Sequence, residues 1–237
     1  MKLLSTAIGF LLSGIYGIVD NYGLSIIILT LIVRFLLLPM YAKQIKESAK
    51  LSEIQPKINE IQKRYAADTQ TRDQKIAELY QEANVNPASG CLPLLIQMPF
   101  IMGLFALLRN PLSYMTSDSM IMAVHESFLW IKDLSQPDAW ILPILAGIST
   151  YFTFSMSSQQ NADANGMNNA MKYFYPVMIF LMGRSFPAGL ALYWAVGNLF
   201  TIGQTYFLNK KREEQKFLAQ AKEEAKKNFE NEKKKKN

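Results

Sequence analysis

The residue whose chemistry stands out in this sequence is Arg34, a permanently charged side chain within the apolar stretch LIVRFLLLPM (31–40). An arginine in membrane hydrocarbon costs from about 3 to more than 10 kcal/mol, depending on how the cost is measured. Either the long side chain reaches toward the cytoplasmic headgroups, or it faces a water-filled cavity between helices. The apolar segments contain no Asp or Glu that could neutralise the charge, which favours the cavity because water and neutral polar groups must then solvate it.

Neutral polar side chains on three apolar segments could surround this charge. Two lie on the same segment as the arginine, one of them a helical turn before it, and the others lie on the second and fifth segments. Each alone is typical of an interhelical hydrogen bond. Together they predict a polar groove whose positive charge attracts acidic or polar groups of a visiting segment. These residues are Thr30, Ser25, Gln97, Asn198 and Thr201.

Apolar segments long enough for a helix to cross a membrane alternate with charged ones. The 237 residues are 50% hydrophobic, yet mean hydropathy is only +0.04. This average combines strongly apolar segments with charged segments. A helix needs about 20 apolar residues to cross a ~30 Å hydrocarbon core. We therefore predict an all-α membrane protein with five transmembrane helices. The predicted spans are 21–41, 86–108, 139–157, 171–185 and 188–208.

Charge sets the predicted orientation of these spans. Residues 42–85 carry eight Lys and Arg and the tail 209–237 carries eleven, so the positive-inside rule places both in the cytoplasm. Apolar residues at helical spacing predict a helical hairpin over 42–85, with Pro56 kinking or restarting its first arm. The segments 109–138 and 158–170 are then extracytoplasmic and cytoplasmic loops. Residues 1–20 are predicted as an amphipathic interfacial helix, with a processed signal peptide as the alternative.

Cysteine and histidine are too scarce for several kinds of site. With Cys91 and His125 as the sole residues of their types, a disulfide framework, a Cys/His metal site and a Cys-His dyad are excluded by counting. No Gly-rich phosphate loop or Ser-His-Asp arrangement is evident. We accordingly predict no catalytic residues, no metal and no cofactor.

Four stretches together resemble the YidC family of membrane protein insertases, which has relatives in mitochondria and chloroplasts. The resemblance covers about residues 21–208 in the expected order. The spacing NP-x-x-GC-x-P-x-x-x-Q-x-P is its most specific element. The stretches are NYGLSIIILTLIVRFLLLPM (21–40), NPASGCLPLLIQMPF (86–100), FLWIKDLSQPDAWILPIL (128–145) and FPAGLALYWAVGNL (186–199).

The resemblance implies a five-helix core around a hydrophilic groove that is open to the cytoplasm and closed outside. It implies insertion of nascent membrane proteins into the bilayer of the bacterial plasma membrane, with the N-terminus outside and the C-terminus in the cytoplasm. The hairpin would guide substrates, the tail 209–237 would contact the ribosome, and the Sec translocon is a further implied partner. The family's groove residues fall on Arg34, Thr30, Gln97, Tyr193, Trp194 and Asn198.

Three features depart from parts of that family. The chain has no large domain between its first apolar segments, no cysteine near residue 1 to carry a lipid, and a Tyr-Trp pair in the last span. It therefore resembles the compact Gram-positive type. The basic tail also suits anionic lipids, because lipid headgroups and ribosomal RNA both present phosphates. A small-anion transporter using Arg34 and a non-catalytic assembly factor are the alternative functions.

Overall fold

The computed structural model of the protein describes residues 2–86, 92–114, 118–158 and 165–236. These residues are mostly helical and, apart from one isolated bridge between Phe128 and Ile131, contain no β-strand. The helical fold class is thus confirmed. The helices are α1 (Lys2–Val19), α2 (Tyr22–Arg64), α3 (Thr69–Glu82), α4 (Leu92–Arg109), α5 (Asp118–Ala123), α6 (Ile141–Ser158), α7 (Asn165–Gly183) and α8 (Ala188–Lys236).

Helix α2 joins the first predicted span to the first arm of the predicted hairpin. Asn21 caps its start, because the Asn21 side chain accepts a hydrogen bond from Leu24 N at 2.9 Å. The helix continues for 43 residues through Pro39 and Pro56, and it does not restart at Pro56. A proline removes a single backbone N–H, so the hydrogen bonds on either side can continue the helix beyond it.

The C-terminal part of α2 is followed by a short turn and by α3. Asp68 caps α3 by accepting a hydrogen bond from Thr71 N at 3.0 Å, and hydrogen bonding from Thr71 lowers the pKa of the Asp68 carboxyl. Helix α3 folds back on α2, where Ile58 and Gln55 are buried. These few buried residues give the hairpin a small core of its own.

The other helices form a bundle in which α8 is the central element. Helix α8 packs against α2, α4, α6 and α7, while α1 packs against α2 and α4. Many large apolar side chains point outward from this bundle. A surface of that kind indicates contact with lipid or protein rather than with water. Examples with more than half of the side chain exposed are Phe10, Phe35, Leu36, Phe152, Phe174 and Phe207.

The segment between α5 and α6 ties together the starts of α2 and α8. Glu126 accepts hydrogen bonds from Tyr22 N at 2.8 Å and from the Tyr16 hydroxyl. The Gln136 carbonyl accepts from Ala188 N at 2.8 Å, and the Leu134 carbonyl accepts from the next backbone N–H of α8 at 2.9 Å. Since the first N–H groups of a helix have no partner within it, this segment satisfies groups that apolar surroundings would leave unpaired.

Membrane-spanning length is clearest in α2. Within the described residues, Tyr22–Arg64 is the one helix whose length and apolar composition suffice for a crossing. Leu3–Val19, Gln97–Arg109 and Ile141–Met156 are apolar but shorter. The count of five transmembrane helices, and the interfacial position of residues 1–20, therefore stay predictions.

Gly23 provides a test of the packing between α2 and the segment between α5 and α6. A Cβ atom at this position would lie 2.2 Å from Cγ of Phe128, so Gly23→Ala must displace that ring. We expect the free energy of unfolding to fall by about 1–3 kcal/mol, as overpacking a tight interior does. Thermal unfolding in detergent measures the change.

Gly17→Ala is the matched control for this substitution. A Cβ at Gly17 has no atom within 4 Å, so alanine should keep or slightly raise stability through its higher helix propensity. A Gly23→Ala protein at least as stable as the wild type would contradict the packing described for this position.

Candidate functional site

The Arg34 guanidinium lies between α2 and α8. The residue is 6% exposed, and its Nη1 atom donates hydrogen bonds to the Tyr41 hydroxyl and to Thr201 Oγ1, both at 3.2 Å. Its Cζ atom is also 5.7 Å from the centroid of the Tyr41 ring, within range of a cation–π interaction. No Asp or Glu of the described residues forms an ion pair with Arg34. The positive charge is thus held by two hydroxyl groups and one aromatic ring.

Close approach of α8 to this charge depends on Gly197. A Cβ at Gly197 would lie 2.4 Å from Nη2 of Arg34 and 3.1 Å from Cζ, so the guanidinium rests directly on the glycine backbone. Thr201 lies one turn further along α8, and its hydroxyl donates to the Gly197 carbonyl at 2.9 Å. The Nε atom of Arg34 is buried and has no hydrogen-bond acceptor within the described parts of the chain. The charge therefore keeps unused donor capacity.

A second polar contact joins α4 to α8. Gln97 Nε2 donates a hydrogen bond to the Tyr193 hydroxyl at 2.7 Å, and Tyr193 is buried. Tyr193, Gly197 and Thr201 follow one another at intervals of four residues, so they lie along one face of α8. The face that receives the arginine also contacts Gln97.

A third group lies on a different face of α8 and contacts α6. Trp194 Nε1 donates to Thr150 Oγ1 at 3.0 Å. The Asn198 amide lies 2.8 Å from Thr150 Oγ1 and 3.2 Å from Ser149 Oγ. Its oxygen faces this group, because that orientation also accepts from Trp194 Nε1 at 3.1 Å. Buried hydroxyls thus fasten α8 to α6.

The structure brings the seven predicted site residues together on adjoining helices, but not into one continuous contact. Arg34 touches Thr201, Gln97 touches Tyr193, and the remaining residues of α8 turn toward α6. Thr30 is buried and donates to the Ile26 carbonyl of its own helix at 2.7 Å, so it makes a local hydrogen bond.

Sequence reasoning missed four residues of this region. Tyr41 is seven residues after Arg34, which is two helical turns on the same face, so its spacing was a usable signal. Ser149 and Thr150 are adjacent hydroxyl residues inside a predicted span, where a polar pair is a weaker signal. Nothing in the sequence distinguishes Gly197 from the other glycines of the chain.

The hydroxyl of Thr150 can be tested by substitution with valine, which has nearly the same shape. Thr150→Val would remove the hydroxyl that accepts from Trp194 Nε1 and contacts the Asn198 amide, so that in this buried position only Asn198 remains to accept from the Trp194 N–H. We expect a loss of roughly 1–2 kcal/mol in the free energy of unfolding, measured by thermal unfolding in detergent.

Thr153→Val on the same helix is the control, because among the described residues the Thr153 hydroxyl donates to the Ser149 carbonyl of its own helix, at 2.9 Å, and to no other helix. The two variants should differ clearly in stability. Equal effects would mean that the α6–α8 hydrogen bonds add no stability.

The chain is similar to known proteins over most of its length. The family model described as "60Kd inner membrane protein" matches residues 14–216. Membrane protein insertase YidC of Oceanobacillus iheyensis is 42% identical over 216 residues, which cover 86% of this chain and 81% of that protein. Membrane protein insertase YidC of Clostridium perfringens is 40% identical over 88% of this chain and 89% of that protein. Membrane protein insertase MisCA of Bacillus subtilis is 39% identical over 80% of this chain and 70% of that protein.

A solved structure matches as well, namely the active YidC insertase crystal structure with the first transmembrane domain resolved. The TM-score is 0.66 at 30% sequence identity, and the match covers 86% of this chain. The chain spans 46% of the length of that solved chain. A family model over most of the chain and relatives near 40% identity lead to one conclusion. The chain belongs to the 60Kd inner membrane protein family, the family of the YidC insertases.

Proposed function

We propose that this protein is a membrane protein insertase of the bacterial plasma membrane that receives nascent membrane proteins at the seam between α2 and α8. The names of its relatives support the activity. The observation that carries the proposal is the buried guanidinium of Arg34, which has hydroxyl partners but no carboxylate partner among the described residues. Such a charge can take a transient partner from an incoming chain.

The chemistry of this step is charge-assisted hydrogen bonding. The Tyr41 and Thr201 hydroxyls are neutral acceptors of the guanidinium, whereas a carboxylate of the substrate in their place is an ionised acceptor that can take two parallel N–H···O bonds. Because Arg34 is only 6% exposed, α2 and α8 must separate locally to admit the substrate. Water entering that opening forms the hydrated groove of the proposal.

The energy for insertion comes from the membrane potential and from burial of apolar surface. An acidic residue moved outward gains about 2.3 kcal/mol per charge per 100 mV. The apolar segment of the substrate then moves along α6 and α8 into lipid, where burying about 20 apolar residues is favourable. In this mechanism no nucleotide is hydrolysed.

The remaining segments have proposed roles in delivering the substrate. The hairpin of α2 and α3 guides the nascent chain on the cytoplasmic side, and the basic residues of 209–237 contact ribosomal RNA. The N-terminus lies outside, the C-terminus lies in the cytoplasm, and the chain crosses the membrane five times. Cooperation with the Sec translocon is compatible with this arrangement.

Substitution of Arg34 tests the role of the charge. In proteoliposomes without ATP, Arg34→Ala should lower insertion of a short substrate with an acidic translocated tail by roughly tenfold, since losing one charged hydrogen bond is worth about 1.5–3 kcal/mol. Arg34→Lys should retain most insertion, because a generic positive charge remains. A substrate with a neutral tail should be affected much less.

Gly197→Ala provides an independent version of this test, because its Cβ displaces the guanidinium without removing it. Gly203→Ala is the control on the same helix, since a Cβ there has no atom within 4 Å. Full insertion of acidic-tailed substrates by both Arg34→Ala and Gly197→Ala would refute the role of Arg34. Uptake of a small anion without insertion would instead support a transporter.

The ribosome contact of the tail is tested by deleting 209–237. Contacts between Lys or Arg and phosphates weaken steeply with salt. The deletion should therefore reduce co-sedimentation with ribosomes strongly at low salt and little at high salt. Unchanged co-sedimentation at low salt would remove the ribosome from the proposal, whereas loss of binding to anionic vesicles alone would assign the tail to lipid.

A further inference from the structure

A pocket at the outer ends of α4, α7 and α8 has no place in the mechanism above. It has a volume of about 570 Å³ and lies between the end of α4, the segment before α6 and the turn from α7 to α8. Pockets of this size hold drug-sized ligands. Its polar lining includes a cation and several neutral hydrogen-bonding groups, namely Arg109, His125, Ser135, Gln136 and Ser185.

The pocket lining is suited to an anion. Arg109 is exposed and forms no ion pair with the described carboxylates, and no Asp or Glu lines the pocket. Asp133, the acidic partner of His125, accepts hydrogen bonds from Ser135 N at 2.8 Å and Ser135 Oγ at 2.6 Å. Burial acts to raise the pKa of Asp133, but hydrogen bonds from Ser135 and His125 outweigh it and lower that pKa, so this carboxylate is already satisfied.

An apolar cleft adjoins the polar pocket, and Phe186 lines both. The cleft has a volume of about 60 Å³, and Met98 and Met182 form part of its wall. Because Met98 is 38% exposed, the cleft reaches the outer surface of the helices. Two aromatic rings lie between the cleft and the Arg109 guanidinium. Arg109 Cζ is 5.6 Å from the centroid of the Phe105 ring, and the Phe105 and Phe186 centroids are 5.1 Å apart.

We propose that the pocket and the cleft together bind one anionic phospholipid of the outer leaflet. The phosphate accepts hydrogen bonds from Arg109, and the glycerol headgroup fills the polar pocket. One acyl chain lies along Phe186 and the cleft. A free anion would leave the apolar cleft unused, whereas a phospholipid matches both halves of the site.

The level of the site in the bundle agrees with this occupant. Arg109 ends the apolar helix α4, and the pocket lining includes Ser185 and Pro137, which lie one and three positions along the chain from Arg184 and Trp140. Arg184 Cζ stacks over the Trp140 ring at 4.3 Å. Tryptophan and arginine at helix ends are typical of the membrane interface, where the phosphates of lipids lie.

The test uses the full-length protein in detergent with phosphatidylglycerol and phosphatidylcholine as probes, read out by native mass spectrometry. The wild type should retain one phosphatidylglycerol in preference to phosphatidylcholine. Arg109→Gln should weaken retention roughly tenfold, the loss of one charged hydrogen bond to phosphate. Met182→Trp narrows the cleft and should weaken retention of both lipids without removing the charge.

Arg184→Gln is the matched control, because Arg184 is an outer-face arginine that lines neither pocket. It should retain phosphatidylglycerol as the wild type does. Equal retention by Arg109→Gln and wild type would overturn the proposal. Displacement of phosphatidylglycerol by inorganic phosphate at similar concentration, or no effect of Met182→Trp, would also overturn it, because the site would then recognise an anion rather than a lipid.

Discussion

The buried charge of Arg34 is the constraint on which the arrangement of the helices around it depends. A guanidinium in apolar surroundings must keep polar partners, and its partners here are hydroxyls on two helices. Thr201 can reach it only because Gly197 lets the backbone of α8 come into contact with the guanidinium. The contact between α2 and α8 therefore depends on Arg34 and on the absence of a side chain at residue 197.

Helix α8 forms hydrogen bonds with several neighbouring helices because its polar residues lie on different faces. Tyr193, Gly197 and Thr201 repeat every four residues and face α2 and α4, while Trp194 and Asn198 form an adjacent stripe that faces α6. The contacts of α8 with α2 and with α6 therefore use different side chains of the same helix.

The segment between α5 and α6 holds α2 and α8 together at the starts of both helices. Its carbonyls and the Glu126 carboxylate accept hydrogen bonds from the first N–H groups of α8 and α2, so these two helix starts are linked through one segment. The starts of α2 and α8 are thus joined through backbone hydrogen bonds, whereas their contact at Arg34 depends on hydroxyl groups further along both helices.

The sequence by itself determined the helical class, the apolar segments and the isolation of Arg34 from carboxylates, because these follow from composition, segment length and spacing along one chain. It could not distinguish Gly197 from other glycines, nor separate the α2-facing from the α6-facing residues of α8. It also left the continuity of α2 through Pro56 undecided. Those features depend on which helices are neighbours and how closely their backbones approach. Only the tertiary structure decides such distances, since they arise from contacts between residues more than 100 positions apart, as between Arg34 and Thr201.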